Sequence, residues 1–131
     1  MRAFRVMVRN ELFRWVELLA RGAHVELSER LGPGEWSAAR LGEAMAVYRE
    51  EHGGVGTGPD ARGGALFLLD EFPAGASGAE GAGRSWTVRQ VLDDPDGGHD
   101  WALHARVDLA ASDEEGRAVV ELVAIAPVAA R

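Results

Sequence analysis

The chain has 131 residues, of which 47% are hydrophobic and 27% charged, with a formal net charge of −7. That length suits one domain burying about two thirds of its unfolded surface, and the lack of cysteine excludes disulfides, thiolate metal sites and a cysteine nucleophile. A net acidic domain whose basic residues are all arginine is a poor candidate for autonomous, non-specific nucleic-acid binding, because phosphate affinity needs clustered cations.

Charge is unevenly placed. Residues 1 to 22 carry Arg2, Arg5, Arg9, Arg14 and Arg21 against Glu11 and Glu17, a local balance of +3, so the remainder carries −10. Either a basic face docks on an acidic partner, or this is a solvated helix face. No apolar run approaches bilayer-spanning length. The N-terminus interleaves arginine with apolar residues and has no small-residue cleavage site, so it does not read as a signal peptide. A cytoplasmic location is expected.

In chain order, Val8, Leu12, Trp15, Val16 and Leu19 recur at helical spacing and predict a helix over about 4–21, ended by Gly22. Asn10 before Glu11 offers an alternative start, with an extended lead over residues 1–9. HVEL, residues 24 to 27, reads as a strand or as linker, and Pro33 between Gly32 and Gly34 interrupts the chain. A second helix is predicted over about 36–52, with Leu41, Met45 and Tyr48 on one face and Gly53 at its end. Residues 53 to 64 form a glycine-rich loop, 65–70 a short strand, and PAGASGAEGAG at 73 to 83 a mobile loop between strands.

Apolar residues then fall at every second position. Trp86 and Val88 predict a strand over about 85–92, and Trp101, Leu103, Ala105, Val107 and Leu109 predict another over 100–110. DDPDGGHD between them is a reversal, which makes an antiparallel hairpin. The turn SDEEG at 112 to 116 leads to a last strand over 117–126, apolar on both faces and so expected to be central or covered. The predicted class is a single α+β domain, 1–131, with two N-terminal helices packed on a curved antiparallel sheet of about four strands. A strongly curved version would be a cone resembling the nuclear-transport-factor-2-like fold.

RAFRVMVRNELFRWVELLAR, Trp36 with the helix to YREEHG, VGTGPDARG, and WTVRQVLDDPDGGHDWALHARVDLAASDEEG together resemble the C-terminal domain of unknown function of actinobacterial DEAD/DEAH-box helicases. The resemblance covers nearly the whole chain. It implies a partner, a superfamily-2 ATPase core in cis or in trans, and nucleic acid through that parent helicase. The chain itself has no lysine for a Walker A motif and no DEAD- or DEAH-type acidic box, so any ATPase activity lies outside it.

Gly56, Gly58 and Ala61 match G-x-G-x-x-A, but a helix precedes and a strand follows, the reverse of the dinucleotide fingerprint, and a turn is the favoured reading. Asp60 and Arg62 are expected to pair with each other or with a helix end, fixing the loop. Asp93, Asp94, Asp96, His99 and Asp100 concentrate oxygen ligands without the spacing of a calcium loop, which favours a solvated hairpin turn. His24, His52, His99 and His104 show no i, i+4 pair of the kind zinc sites use. His104, which alternates with the apolar face of its strand, is expected to point to solvent or to a second layer. Trp86 and Trp101 read as core before they read as base-stacking platforms. No cofactor, metal or catalytic residue is assigned. The candidate binding surface comprises Arg2, Arg5, Arg9, Asp60, Arg62, Arg89 and Arg106, with Arg89 and Arg106 on the other strand face, either binding an acidic ligand or paired with Asp108 or Glu121. The expected function is a non-catalytic accessory module that assists ATPase-core docking or nucleic-acid placement. The alternative is a small stand-alone pocket protein, ligand binder or enzyme; no membrane role is expected.

Overall fold

The structure is a computed structural model that describes residues 2–59, 61–63, 66–70, 85–95 and 97–128. Helices α1 (Arg2–Ala20), α2 (His24–Leu31) and α3 (Ala38–His52) precede strands β1 (Phe67–Asp70), β2 (Ser85–Val91) and β3 (Trp101–Asp108), a short helix α4 (Leu109–Glu115), and β4 (Val120–Pro127). The strands form one antiparallel sheet in the order β1-β2-β3-β4. The predicted α+β class, helices first, is the one found. The sheet is open, with β1 and β4 at its edges.

Helix α1 runs unbroken through Asn10 and Glu11, so the alternative start there is not used. Its buried set is wider than one stripe: Phe13 and Leu18 join Val8, Leu12, Trp15, Val16 and Leu19. The reason is position, since α2 packs on one side of α1 and the sheet on another. Each such side chain contributes roughly 1.5–3 kcal/mol through burial. Helix α3 buries Leu41, Met45 and Tyr48 as its spacing predicts. The Ser37 side chain caps it by accepting from the Arg40 N–H, and Gly53 ends it at φ 88°.

Cross-strand register places Trp86 opposite Val107, Val88 opposite Ala105 and Gln90 opposite Leu103. These residues therefore share one face, together with Phe67 and Leu69 of β1 and Val120, Leu122 and Ile125 of β4. That face meets the helices and forms the core. The opposite face carries Leu68, Arg89, His104 and Ala124 in one row.

Three expectations are corrected. HVEL is neither strand nor linker but the start of α2: only Leu27 of it is buried while Val25 is exposed, a one-sided pattern that a helix satisfies. The SDEEG turn belongs to α4, where the Asp108 carboxylate accepts from the Ala111 N–H at 3.0 Å and Gly116 closes the helix in the left-handed region. The last strand is an edge, not central. Its register slips so that His104 faces Ala124 but Ala105 faces Leu122, leaving Val123 as an extra, exposed residue. The bulge explains the two-faced apolar pattern, because it returns both Leu122 and Ile125 to the core side. The 73–83 loop lies outside the described residues.

Candidate functional site

Arg5 and Arg9 lie one helical turn apart on α1, so their side chains share a face. The Arg5 guanidinium is 6.0 Å from the centroid of the Trp86 ring, and that of Arg9 is 5.9 Å from the Phe67 ring. Arg62 reaches the same helix from the glycine-rich loop. Its guanidinium sits 4.6 Å from the Phe13 ring and donates to Asn10 Oδ1 at 3.4 Å, while the Arg9 side chain donates to the Arg62 carbonyl. Three arginines from two separated segments thus converge beside aromatic rings, with Val6 exposed on the adjoining side of α1. Such a patch offers fixed positive charge with π faces at its base.

The other residues of the predicted surface divide. Arg89 and Arg106 are on the opposite face of the sheet, and Arg106 pairs with Glu121 at 2.9 Å, one of the two partners expected for it. Arg2 is in the first turn of α1, and the placement of its side chain lies outside the described residues, as does Asp60. Trp86 is half-buried and meets Phe4 edge-on at 5.4 Å, whereas Trp101 is fully in the core. His104 is half-buried on the outer face, its Nε2 3.3 and 3.2 Å from the carbonyl oxygens of Ala126 and Pro127.

A second constellation forms where the end of α3 meets the β2–β3 loop. Asp94, expected in a solvated turn, is buried, and its carboxylate accepts from the backbone N–H groups of His99 at 2.7 Å and Gly98 at 3.0 Å. Burial pushes its carboxyl up, but these backbone donors and the nearby His52 outweigh that and hold it below the ordinary value. Asp94 Oδ2 lies 3.4 Å from His52 Nδ1, Asp100 Oδ1 lies 2.9 Å from His52 Nε2, and Glu51 Oε1 lies 3.7 Å from the same nitrogen. The Trp101 indole N–H donates to Glu51 Oε1 at 3.0 Å. Tyr48 lies against the His52 ring with its centroid 5.3 Å away. Burial and the charge of Asp94 are the leading causes that raise its hydroxyl to about 12.

The loop's remaining carboxylate, Asp93, faces the His99 ring at 3.1 Å, and His99 adopts a left-handed φ of 53°. Gly56 closes the arrangement by donating its N–H to the Asp93 carbonyl at 2.8 Å. The segment is thus tied to the β2–β3 loop at Gly56, with Thr57, Gly58 and Pro59 exposed. Sequence spacing could not reveal the His52 constellation, because Glu51 and His52 are more than forty residues from Asp94 and Asp100. The local signals are the adjacent Glu51-His52 pair at a helix end and the carboxylate cluster of the β2–β3 loop.

A family model matches residues 1–125, which takes in both constellations. The chain belongs to the DUF3516 family. DUF3516 is described as a domain of unknown function, and the match covers every helix of the structure and most of the last strand. No curated protein and no solved structure matches the chain.

Proposed function

We propose that this DUF3516 domain is a non-catalytic accessory module that places a single nucleic-acid strand for a DEAD/DEAH-box helicase core. The convergence of Arg5, Arg9 and Arg62 beside Trp86 and Phe67 carries the reading. Guanidinium groups take phosphate oxygens in bidentate fashion, and an aromatic ring beside them gives a base a surface to stack on. The rest of the chain is strongly acidic, so repulsion elsewhere confines a polyanion to this face.

The test is fluorescence anisotropy of the 131-residue chain with a labelled single-stranded RNA at low salt. Three phosphate contacts give a slope of log affinity against log salt of about −2. The double variant R5E/R9E loses binding at least about tenfold while R106E keeps it. Wild-type protein that shows no binding at low salt overturns the strand-placing reading. Exposed Val6 adjoining the arginines favours a second reading, docking of the same face onto the ATPase core. In that case the R5E/R9E variant fails to co-purify with the core although neither protein form binds RNA.

A further inference from the structure

Glu51, His52 and Asp100 each present one ligand atom, and these three atoms lie within 4.8 Å of one another. Ligand atoms around one zinc ion bonded at about 2.0–2.1 Å are separated by about 3.3 Å in a tetrahedral site. His52 Nε2 is 2.9 Å from Asp100 Oδ1 and 3.7 Å from Glu51 Oε1, so only a small adjustment brackets that spacing. Both carboxylate-bearing residues are exposed at the rim, which leaves a path for an ion to enter.

Charge points the same way. Among the described residues, no arginine forms an ion pair with Glu51, Asp94 or Asp100. A ligating His52 is neutral, so these three carboxylates carry three negative charges, of which a divalent ion offsets two. The groups behind the ring are also in place. Asp94 faces His52 Nδ1 while its own carboxylate is held by the Gly98 and His99 N–H groups, and Trp101 holds Glu51 by its indole N–H. A carboxylate on the far nitrogen of a ligating imidazole sets its tautomer and strengthens its basicity.

We propose that Glu51, His52 and Asp100 bind a divalent transition-metal ion through His52 Nε2 and two carboxylate oxygens, with Asp94 positioning the His52 ring. An imidazole nitrogen in the donor set favours Zn²⁺ and its neighbours over Ca²⁺ or Mg²⁺. Three protein ligands leave at least one position for water or for a ligand of a partner. This assignment stands apart from the arginine patch, and it is tested without nucleic acid.

The experiment is calorimetric titration of the metal-free 131-residue chain with ZnCl₂, with Co²⁺ absorption as a report on nitrogen and oxygen ligation. One equivalent is expected to bind. Asp100→Asn and His52→Gln each weaken binding at least about tenfold, Asp94→Asn weakens it by about 10–100-fold, and His104→Gln, on the outer face of the sheet, leaves it unchanged. Asp100 is on an exposed loop, so its variant keeps the test decisive if the His52 variant does not fold. Absence of saturable Zn²⁺ binding, an unchanged affinity in Asp100→Asn, or an equal loss in His104→Gln overturns the assignment.

Discussion

The Trp36 indole N–H donates to the carbonyl of Leu122, 2.8 Å away and 86 residues further along the chain. The bond joins the lead into α3 to the bulge of the edge strand β4, and the Ser28 hydroxyl donating to the Trp36 carbonyl at 2.8 Å holds the same residue from α2. Trp36→Phe keeps a ring for the Arg40 guanidinium, which lies 4.1 Å from the Trp36 ring centroid, but leaves the Leu122 carbonyl buried without its donor, at a cost of about 1–3 kcal/mol. Urea denaturation measures this as a lower midpoint at unchanged slope. A midpoint equal to that of the wild type shows that water replaces the indole.

Glu11 joins α1 to α2. Its two carboxylate oxygens each accept from Arg30 at 2.8 Å, and one of them also accepts from the indole of Trp15. Trp15 is buried, so Glu11→Ala orphans an indole N–H as well as breaking a bidentate pair. A loss of about 1–3 kcal/mol is expected. In a double-mutant cycle with Trp15→Phe, the second substitution costs less in the Glu11→Ala background than alone; full additivity means that the bond contributes nothing.

Acid stability depends on two carboxylates. Burial raises Glu11, but hydrogen bonds from Arg30 and Trp15 and the Arg30 charge outweigh it, and Asp94 is likewise held low. A folded-state pKa below the unfolded one means that these groups stabilise the fold above their ordinary values, 4.5 and 3.8, and lose that contribution as pH falls through the depressed folded values. The urea midpoint should therefore drop from about pH 5 downward, because protonating either carboxylate favours the unfolded chain. The double variant E11Q/D94N should be less stable at neutral pH and show a flatter acid limb. An acid limb as steep as that of the wild type assigns the effect to other groups.

Two glycines two residues apart should respond differently to alanine. A Cβ on Gly56 would come 2.7 Å from Asp93 Oδ2 and 3.2 Å from the Asp93 carbonyl, whereas one on Gly58 would meet nothing within 4 Å. Gly56→Ala must displace a carboxylate that faces His99 and a carbonyl that already accepts the Gly56 N–H. Its expected cost is about 1 kcal/mol, against less than about 0.5 for Gly58→Ala. Thermal melts of the two variants decide it, and equal melting temperatures mean that the loop moves away without cost.

Period and punctuation in the sequence were enough to determine the α+β class, the long helices, the β2–β3 hairpin and most of the core, because apolar spacing is a local property that each element must satisfy by itself. Even α4 has local signals, Asp108 before Ala110-Ala111 and Gly116 after Glu115. Tertiary structure alone decided three things. It made β4 an edge, since a bulge at Val123 mimics a strand apolar on both faces. It gathered Arg5, Arg9 and Arg62 on one side of α1, apart from Arg89 and Arg106, which strand alternation by itself puts on the other face. It also brought His52 against Asp94 and Asp100, because docking a helix end on a hairpin loop joins residues whose separation along the chain carries no information about their distance in space.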